Sequence, residues 1–356
     1  MRVGPGEVSS DPLISVVLPV FNGAAHIHAA VRSILDQTFD DFELIVINDG
    51  SVDETLKILQ TIQITDSRLI VMSRENRGLA HSLNEGIGAA RGCWIARMDA
   101  DDFAEPNRFE LQVQWLTETG ADICGSWVKF FGASDTRVLR HPASDAAIKA
   151  EILFGAPFAH PSVMMRAALA KQLPYDPAWE KCEDYDLWER AARAGWQMTN
   201  VPAVLLHYRQ HPSQISSAFS ICQQQLSQKI RLRYWKYFLA STGIEKTHCA
   251  NEVMKLREPV PMAVDMEKVD SLFQALLASA QSEEQDTIFH HMTKLYLRGA
   301  AGCPSTVLRW SKLNQKYGRG LGLSVKIQIV LLSLFRIHPD SASITKVKKA
   351  YSYFRT

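Results

Sequence analysis

The segment with the clearest chemical character is the acidic run Asp99-Ala100-Asp101-Asp102, which follows a short apolar stretch. In extended backbone, residues i and i+2 point the same way, so Asp99 and Asp101 are expected to converge on one ligand. Carboxylate oxygens suit hard cations, and Mg²⁺ or Mn²⁺ in proteins commonly completes its coordination with substrate phosphates. The run therefore predicts a Mn²⁺ or Mg²⁺ site for a nucleotide diphosphate. The alternative is an acidic turn in which Asp102 caps a helix that starts at Pro106.

A second candidate is Asp184, in the segment Glu183-Asp184-Tyr185-Asp186-Leu187-Trp188. A helix is predicted to open near Glu183 and to stop at Gly195. The positive end of the helix dipole favours an ionised carboxylate, so Asp184 is predicted to act as a general base. The alternative is that the Glu183-Asp184 pair only caps the helix.

These residues must be positioned by regular elements. Four short strands are predicted, at Ile14–Leu18, Glu43–Ile47, Leu69–Ser73 and Cys93–Met98. Apolar residues recur at helical spacing between them, as in Ile27, Val31, Ile34 and Leu35 and in Leu79, Leu83, Ile87 and Ala90. This alternation predicts an α/β fold with a doubly wound, mostly parallel sheet. The pattern is irregular from Pro142 to Pro161, and beyond Ser216 only helices are predicted, at Asp265–Ala280, Glu284–Arg298 and Thr306–Lys316.

Ligands of open parallel sheets bind beyond the carboxyl ends of the strands. Three strand ends are followed by polar residues: Pro19-Val20-Phe21-Asn22-Gly23, Asn48-Asp49-Gly50-Ser51 and the acidic run. The motifs G-x-G-x-x-G and G-x-x-x-x-G-K, which mark dinucleotide sites and phosphate loops, are missing after the first strand. A different kind of nucleotide site is therefore expected at this edge, with a plain turn as the alternative for Asp49-Gly50-Ser51.

Composition narrows the class of protein. The 356 residues are 46% hydrophobic and 22% charged, which excludes disordered and collagen-like chains. A formal net charge of +1 gives no global attraction for nucleic acid, and no nucleic-acid partner is expected. The six cysteines contain no C-x-x-C pair, which favours a reducing compartment. With no signal peptide and no apolar run of roughly 20 residues, a cytoplasmic location is expected.

Five motifs occur in order along the chain. They are Val17-Leu18-Pro19-Val20-Phe21-Asn22, Val46-Ile47-Asn48-Asp49-Gly50-Ser51, Asn76-Arg77-Gly78, the acidic run and the Glu183 to Trp188 segment. Together they resemble family 2 glycosyltransferases of the GT-A fold, over residues 12–216. The resemblance implies a metal-dependent enzyme whose donor site includes Pro19 and Asn22, with Phe21 and Asp49 at the nucleoside base. It also implies that Asp99 holds the ribose and Asp101 the metal. Asn48 departs from the family pattern, which often has a second aspartate there.

Further roles follow from the resemblance alone. His211 is expected to reach the metal or the diphosphate, and Arg209 to face the phosphates. Arg77 is expected to touch the donor. Structural or solvated roles are the alternatives for these side chains, and His160 is the weaker of the two histidine candidates. The Glu-Asp pair of the family favours Asp184 as the base.

The implied reaction is an inverting single displacement. Asp184 deprotonates an acceptor hydroxyl, which attacks the anomeric carbon of a nucleotide sugar, with UDP as the expected carrier. The expected acceptor is a glycan or a lipid-linked sugar in cell-surface polysaccharide or glycolipid synthesis. One alternative is a sugar-phosphate nucleotidyltransferase, which is expected to carry a Gly-rich loop with Arg and Lys where this chain has Phe21-Asn22-Gly23-Ala24. The other is a non-catalytic sugar-binding scaffold.

The predicted organisation is a flexible leader over residues 1–11, a GT-A domain over 12–216 and a helical region over 217–356. From Thr306 to the end, Asp340 is the single acidic residue among ten basic ones. Leu321–Phe335 is apolar at helical spacing. An amphipathic helix with this charge is predicted to lie on an anionic membrane surface, attached peripherally to the inner face. The alternative is a packed helix with a solvated charged face.

Overall fold

The computed structural model describes residues 11–132, 136–210, 221–257, 263–300 and 305–317. The chain forms two compact units, Met1–Ser227 and Gln228–Thr356, and the division falls within the helix Ile221–Ser241. The predicted leader lies outside the described residues except for Asp11, and so does the predicted domain boundary at Ser216. Both stay predictions.

Nine strands form one sheet in the described part of the first unit. They are β1 Ile14–Val20, β2 Phe42–Asp49, β3 Leu69–Arg74, β4 Trp94–Arg97, β5 Phe103–Ala104, β6 Ile123–Phe131, β7 Val138–Leu139, β8 Met164–Arg166 and β9 Met198–Arg209. The four predicted strands are confirmed, with ends shifted by at most two residues. The longest shifts are at the C-terminal ends of β1 and β2, which continue two residues further, to Val20 and Asp49.

The strand order is β3-β2-β1-β4-β8-β6-β9-β5, with β7 beside β6. The long ladders β1–β2, β2–β3, β1–β4 and β6–β9 are parallel. The short ladders β4–β8, β6–β8, β5–β9 and β6–β7 are antiparallel. The predicted mostly parallel α/β sheet is therefore confirmed. Because β1, β2 and β4 are parallel, their carboxyl ends meet at one edge.

Helices connect many of the strands of the first unit. They are α1 Ile27–Leu35, α2 Thr55–Thr65, α3 Leu79–Ala89, α4 Arg108–Thr119, α5 Asp145–Ile152, α6 Ala167–Gln172 and α7 Glu183–Arg193, followed by α8 Ile221–Ser241. Helix α7 has acidic residues in its first turn and ends before Gly195, whose φ of 83° only glycine adopts readily. The predicted start and stop of this helix are confirmed.

Both faces of β1 are covered, as a doubly wound fold requires. Val16 and Leu18 belong to the core cluster that includes Val31 and Ile34 of α1. Val17, which points to the opposite face, lies against Gly86 of α3. Side chains buried on both faces explain why this strand reads as a continuous apolar run.

Five strands were not predicted from the sequence. β5, β7 and β8 are two or three residues long, which is too short for a periodic signal. β6 and β9 are longer, but their ladder shifts register near Trp127, and Pro202 interrupts the β9 sequence. The second half of the sheet therefore carries weak local signals even though its pairing is extensive.

In the second unit the described residues beyond α8 are helical: α9 Ala250–Lys255, α10 Met266–Ser279, α11 Ser282–Ala300 and α12 Thr306–Tyr317. The three helices predicted there are confirmed. Asp270 accepts hydrogen bonds from Tyr296 Oη and, at 2.6 Å, from Arg309 Nη1, which links α10, α11 and α12. Trp310 is buried, so α12 packs through its apolar face.

Two glycines of α3 provide a matched test of this packing. A Cβ at Gly86 would lie 2.5 Å from Val17 Cγ1, a stiff β-branched side chain inside the core, whereas a Cβ at Gly88 meets nothing within 4 Å. We expect Gly86→Ala to lower the free energy of unfolding by about 1–3 kcal/mol. Gly88→Ala is expected to raise it by about 0.5–1 kcal/mol, because alanine is the better helix former. Urea unfolding followed by tryptophan fluorescence measures both, and equal effects would contradict the packing described.

Candidate functional site

The loops after β1 and β2 are joined into one structure. Asn22, which adopts a left-handed φ of 51°, donates its backbone N–H to Ser51 Oγ at 2.9 Å and accepts from Val52 N at 2.9 Å through Oδ1. Gly23 N donates to Thr55 Oγ1 at 2.9 Å. These bonds leave the ring of Phe21 54% exposed at the rim of the sheet edge. Pro19 is buried inside β1 and pairs in register with β2.

Asp49 is buried at the end of β2 and holds the loop after β3. Its carboxylate accepts hydrogen bonds from the backbone N–H of Arg77 at 2.8 Å and of Gly78 at 3.0 Å, and it pairs with Arg74. A plain turn at Asp49 does not explain these contacts, because the Asp49 side chain also joins the loop after β2 to the loop after β3. The side chain of Arg77 is exposed. Asn48 donates to Ser73 Oγ at 2.9 Å, so the family-atypical residue links β2 to β3.

Asp99, Asp101 and Asp102 come together in the turn between β4 and β5. One carboxylate oxygen from each lies within 4.8 Å of the others. The convergence of Asp99 and Asp101 agrees with the prediction, but its stated reason was wrong: β4 ends at Arg97, and a turn brings the side chains together.

The capping alternative for Asp102 was also wrong. Helix α4 begins at Arg108, two residues later than predicted, and has no side-chain cap. Asp102 instead accepts a hydrogen bond from the backbone N–H of Arg209 at 2.8 Å through Oδ1. Its other oxygen is buried and, among the described atoms, has no hydrogen-bond partner. Burial and the charges of Asp99 and Asp101 raise the pKa of Asp102 well above its usual range.

The acidic turn has donor atoms that fit a hard divalent cation. Three carboxylates converge, and a buried oxygen of Asp102 lacks a partner among the described groups. Burial and the charges of Asp99 and Asp101 disfavour an ionised Asp102, and a bound cation would offset both effects. This chemistry matches the predicted Mn²⁺ or Mg²⁺ site.

Arg97, the last residue of β4, is a buried cation beside these carboxylates. Its side chain is 4% exposed, and Nη1 lies 2.6 Å from Asp99 Oδ2. The positive charge of Arg97 also opposes the effect of burial on the pKa values of Asp102 and Asp184. The sequence analysis missed this residue. A single arginine in the apolar segment Cys93–Met98 was the available signal, because buried strands seldom hold an unpaired charge.

Asp184 lies in the first turn of α7, close enough for its charge to interact with those of Arg97 and Asp99. Burial raises the pKa of Asp184, and this outweighs the hydrogen bond that it accepts from Tyr185 N at 2.7 Å. The expected role of Asp184 as the general base stays a prediction. Burial and the adjacent Asp184 raise the pKa of Glu183 to about 7. The residue before the helix is Cys182, and no side chain caps α7.

Tyr175 lies close enough to Arg97 and Asp184 to interact with their charges. It is buried, its Oη lies 2.8 Å from His160 Nε2, and Asn84 binds both its backbone N–H and its carbonyl. Burial and the charge of Arg97 hold the pKa of His160 well below its usual range, so this histidine is neutral at physiological pH. His160 therefore makes a structural contact with Tyr175 in this position.

Arg209, at the end of β9, fastens the acidic turn. Its Nε donates to the carbonyl oxygen of Asp101 at 2.8 Å, in addition to the bond from its backbone to Asp102. Its guanidinium carbon lies 4.4 Å from the centre of the Phe131 ring. Arg209 is thus at the site, as predicted. His211 lies outside the described residues, and its expected role stays a prediction.

Comparison with known proteins agrees with this geometry. Residues 15–173 match the model of "Glycosyl transferase family 2". An uncharacterized glycosyltransferase of Haemophilus influenzae is 32% identical over 66% of this chain and 76% of its own length. The chain belongs to glycosyltransferase family 2. The O-antigen biosynthesis glycosyltransferase WbnJ of Escherichia coli, another similar protein, is 31% identical over 56% of this chain and 80% of its own.

Solved structures show the fold of this family 2 member. The TarS fragment of S. aureus, crystallised with UDP-GlcNAc, superposes with a TM-score of 0.57 over 86% of this chain and 90% of its own, at 15% identity. The GT-A fold predicted from the motifs is therefore confirmed. Family membership also supports the glycosyltransferase prediction over the nucleotidyltransferase alternative.

The burial of Arg97 leads to a stability prediction. Arg97→Met leaves Asp99 and its neighbours without their buried counter-charge, so we expect a loss of about 3–5 kcal/mol in the free energy of unfolding. Lys57→Met is the control, since Lys57 pairs with Glu54 on the surface and its loss is expected to leave the free energy of unfolding almost unchanged. Urea unfolding measures both variants. An effect of Arg97→Met as small as that of the control would contradict a buried counter-charge.

Proposed function

We propose that this chain transfers a sugar from a UDP-sugar to a hydroxyl of a glycan or lipid-linked acceptor, by an inverting single displacement. The observation that carries the proposal is the convergence of Asp99, Asp101 and Asp102 in the turn after β4. The charge of Asp99 also interacts with that of Asp184. The relationship to the O-antigen enzyme WbnJ supports a role in cell-surface polysaccharide synthesis. UDP-GlcNAc, the ligand crystallised with TarS, is the first donor to test.

The proposed donor site follows the joined loops at the sheet edge. Phe21 stacks on the nucleoside base, and Asp49, held by the backbone of the following loop, recognises it. Pro19 and Asn22 shape this end of the site, and Asn22 does so through its bonds to the β2 loop. Arg77 reaches toward the donor from the exposed loop after β3.

The acidic turn is proposed to hold Mn²⁺ or Mg²⁺ through Asp101, with Asp102 as an added ligand that the sequence analysis did not name. A bound divalent ion supplies positive charge to the departing diphosphate. Asp99 is proposed to orient the ribose, and Arg97 holds the Asp99 carboxylate in place. Arg209 and His211 are proposed to act on the phosphate side of the same turn.

Asp184 is proposed to take the proton from the acceptor hydroxyl. Burial raises its pKa, which makes the carboxylate a stronger base than an exposed aspartate, while Arg97 opposes the shift and favours the ionised form. Both effects suit a group that must be ionised before the reaction and accept a proton during it.

Asp101→Ala tests the metal site. We expect it to abolish the Mn²⁺-dependent part of UDP binding and to leave the fold intact, since Asp101 lies in a partly exposed turn outside the hydrophobic core cluster. Calorimetric titration of UDP with and without Mn²⁺ measures the effect. Asp40→Ala, an exposed aspartate before β2, is the control. Unchanged Mn²⁺ dependence in Asp101→Ala would remove this residue from the metal shell.

Asp184→Asn tests the base. The amide keeps the shape but takes no proton, so UDP binding is expected to persist while release of UDP from UDP-sugars falls by about 10²–10⁴-fold. Asp176→Asn, in the exposed segment before α7, is the matched control. A near wild-type rate in Asp184→Asn would assign the base to another residue. No turnover of any UDP-sugar by the wild-type protein would favour the non-catalytic scaffold.

Membrane attachment through the basic tail is a further part of the proposal. The predicted amphipathic segment Leu321–Phe335 lies outside the described residues. Among the described residues, no helix has the length and hydrophobicity needed to cross a membrane. α12 is packed through Trp310 and Leu313, so the proposed membrane segment begins after Tyr317.

Sedimentation with phosphatidylglycerol vesicles tests the tail. The full chain is expected to sediment at low salt and to be released at high salt, because each basic residue near an anionic surface contributes about 1 kcal/mol that salt screens. A chain ending at Tyr317 keeps α12 and is expected to stay in the supernatant. If the full chain also stays there at low salt, the tail is an ordinary packed helix.

A further inference from the structure

Phe103 is a large apolar residue that is exposed directly beside the acidic turn. It is the first residue of β5, it follows Asp102, and 41% of its surface is accessible. Its two neighbours, Asp102 and Ala104, are buried, so the strand presents the Phe103 ring to solvent on one side. An aromatic ring exposed beside a catalytic site is a candidate for ligand contact.

The Phe103 ring contacts His207, which in turn contacts Phe131 and Glu105. His207, opposite Phe103 in the β5–β9 ladder, lies edge-on to Phe103 and to Phe131, with ring centres 6.1 and 6.2 Å apart. His207 Nε2 lies 2.5 Å from Glu105 Oε1, and both of these side chains remain partly accessible, at 25% and 35%. We call Phe103, Phe131, His207 and Glu105 the β5 patch. It combines two aromatic rings with a polar pair.

The β5 patch is continuous with the acidic turn. Arg209 follows His207 by two residues in β9, so the two side chains point the same way. The Arg209 guanidinium lies over Phe131 and donates to the carbonyl of Asp101. Arg209 therefore contacts both the β5 patch and the acidic turn, which makes the two sites adjacent.

We propose that the β5 patch binds a pyranose ring of the acceptor, an inference that rests on the proposed function. A sugar ring has apolar C–H faces and a rim of hydroxyls, which suit aromatic rings and a Glu-His pair respectively. In the sheet order, β1 and β2 lie on one side of β4, and β9 and β5 lie on the other. The donor loops and the patch are thus on opposite sides of the acidic turn, as an acceptor that attacks away from the leaving diphosphate requires.

Saturation-transfer NMR on the full chain, with UDP and Mn²⁺ present, tests this site. The probes are the methyl glycosides of glucose, galactose and N-acetylglucosamine. Phe103→Ala is expected to weaken glycoside binding by about tenfold, and Phe103→Tyr, which keeps the ring, is expected to retain it. Ile64→Ala, at an apolar residue of α2 that is 87% exposed, is the control for non-specific contact. UDP affinity, measured by calorimetry, is expected to be unchanged in all three variants.

The outcomes separate the two proposals. Equal glycoside binding by wild type and Phe103→Ala, or no binding of any glycoside by wild type, overturns the acceptor site even where UDP binds and UDP-sugars turn over. Failure of the wild-type protein to bind UDP or to release it from UDP-sugars overturns the proposed function instead. Weakening in Phe103→Ala with unchanged UDP affinity supports the inference.

Discussion

The buried charge pair of Arg97 and Asp99 is the interaction on which the candidate site depends. Burial raises the pKa values of Asp99, Asp102 and Asp184, and nearby carboxylates add to the rise: Asp101 acts on Asp99, Asp99 and Asp101 act on Asp102, and Asp99 acts on Asp184. Such a group of carboxylates is unstable in a folded protein unless positive charge lies among them. Arg97 provides that charge within the sheet, and a divalent cation would provide more on the donor side. The excess of negative charge among these carboxylates lowers the stability of the fold. The same excess favours the binding of a cation, which in turn can bind a diphosphate.

The fold meets this requirement through the end of β4. β4 places Arg97 between neighbouring strands, and Arg108, itself fully buried, donates to the carbonyl of Arg97 at 2.8 Å. Burial lowers the pKa of Arg108 to about 10, which still leaves it protonated near neutral pH. Arg209 secures the other end of the acidic turn from β9. Bonds from both halves of the sheet thus hold a turn that has little regular structure of its own, so long-range pairing determines the geometry of the proposed chemistry.

The parts of the molecule that were predictable are those with local signals. The apolar run of β1 and the spacing of Ile27, Val31 and Ile34 gave the strand and helix, and the parallel arrangement then placed the acidic run at the correct sheet edge. The antiparallel strand β8 was missed because it is three residues long and pairs with residues about 40 and 70 positions away. Arg97 was missed because its burial depends on β1 and β8, which come from distant parts of the chain. The sequence also did not reveal the burial of Asp184, which raises its pKa.

The most direct test of a cation-binding site at the acidic turn is anomalous diffraction from crystals of the full chain grown with UDP and Mn²⁺. We expect a manganese peak coordinated by the carboxylates of Asp101 and Asp102, beside the Arg97–Asp99 pair, with diphosphate oxygens completing the coordination. Density for UDP at the sheet edge with a manganese peak elsewhere, or with none, would contradict it.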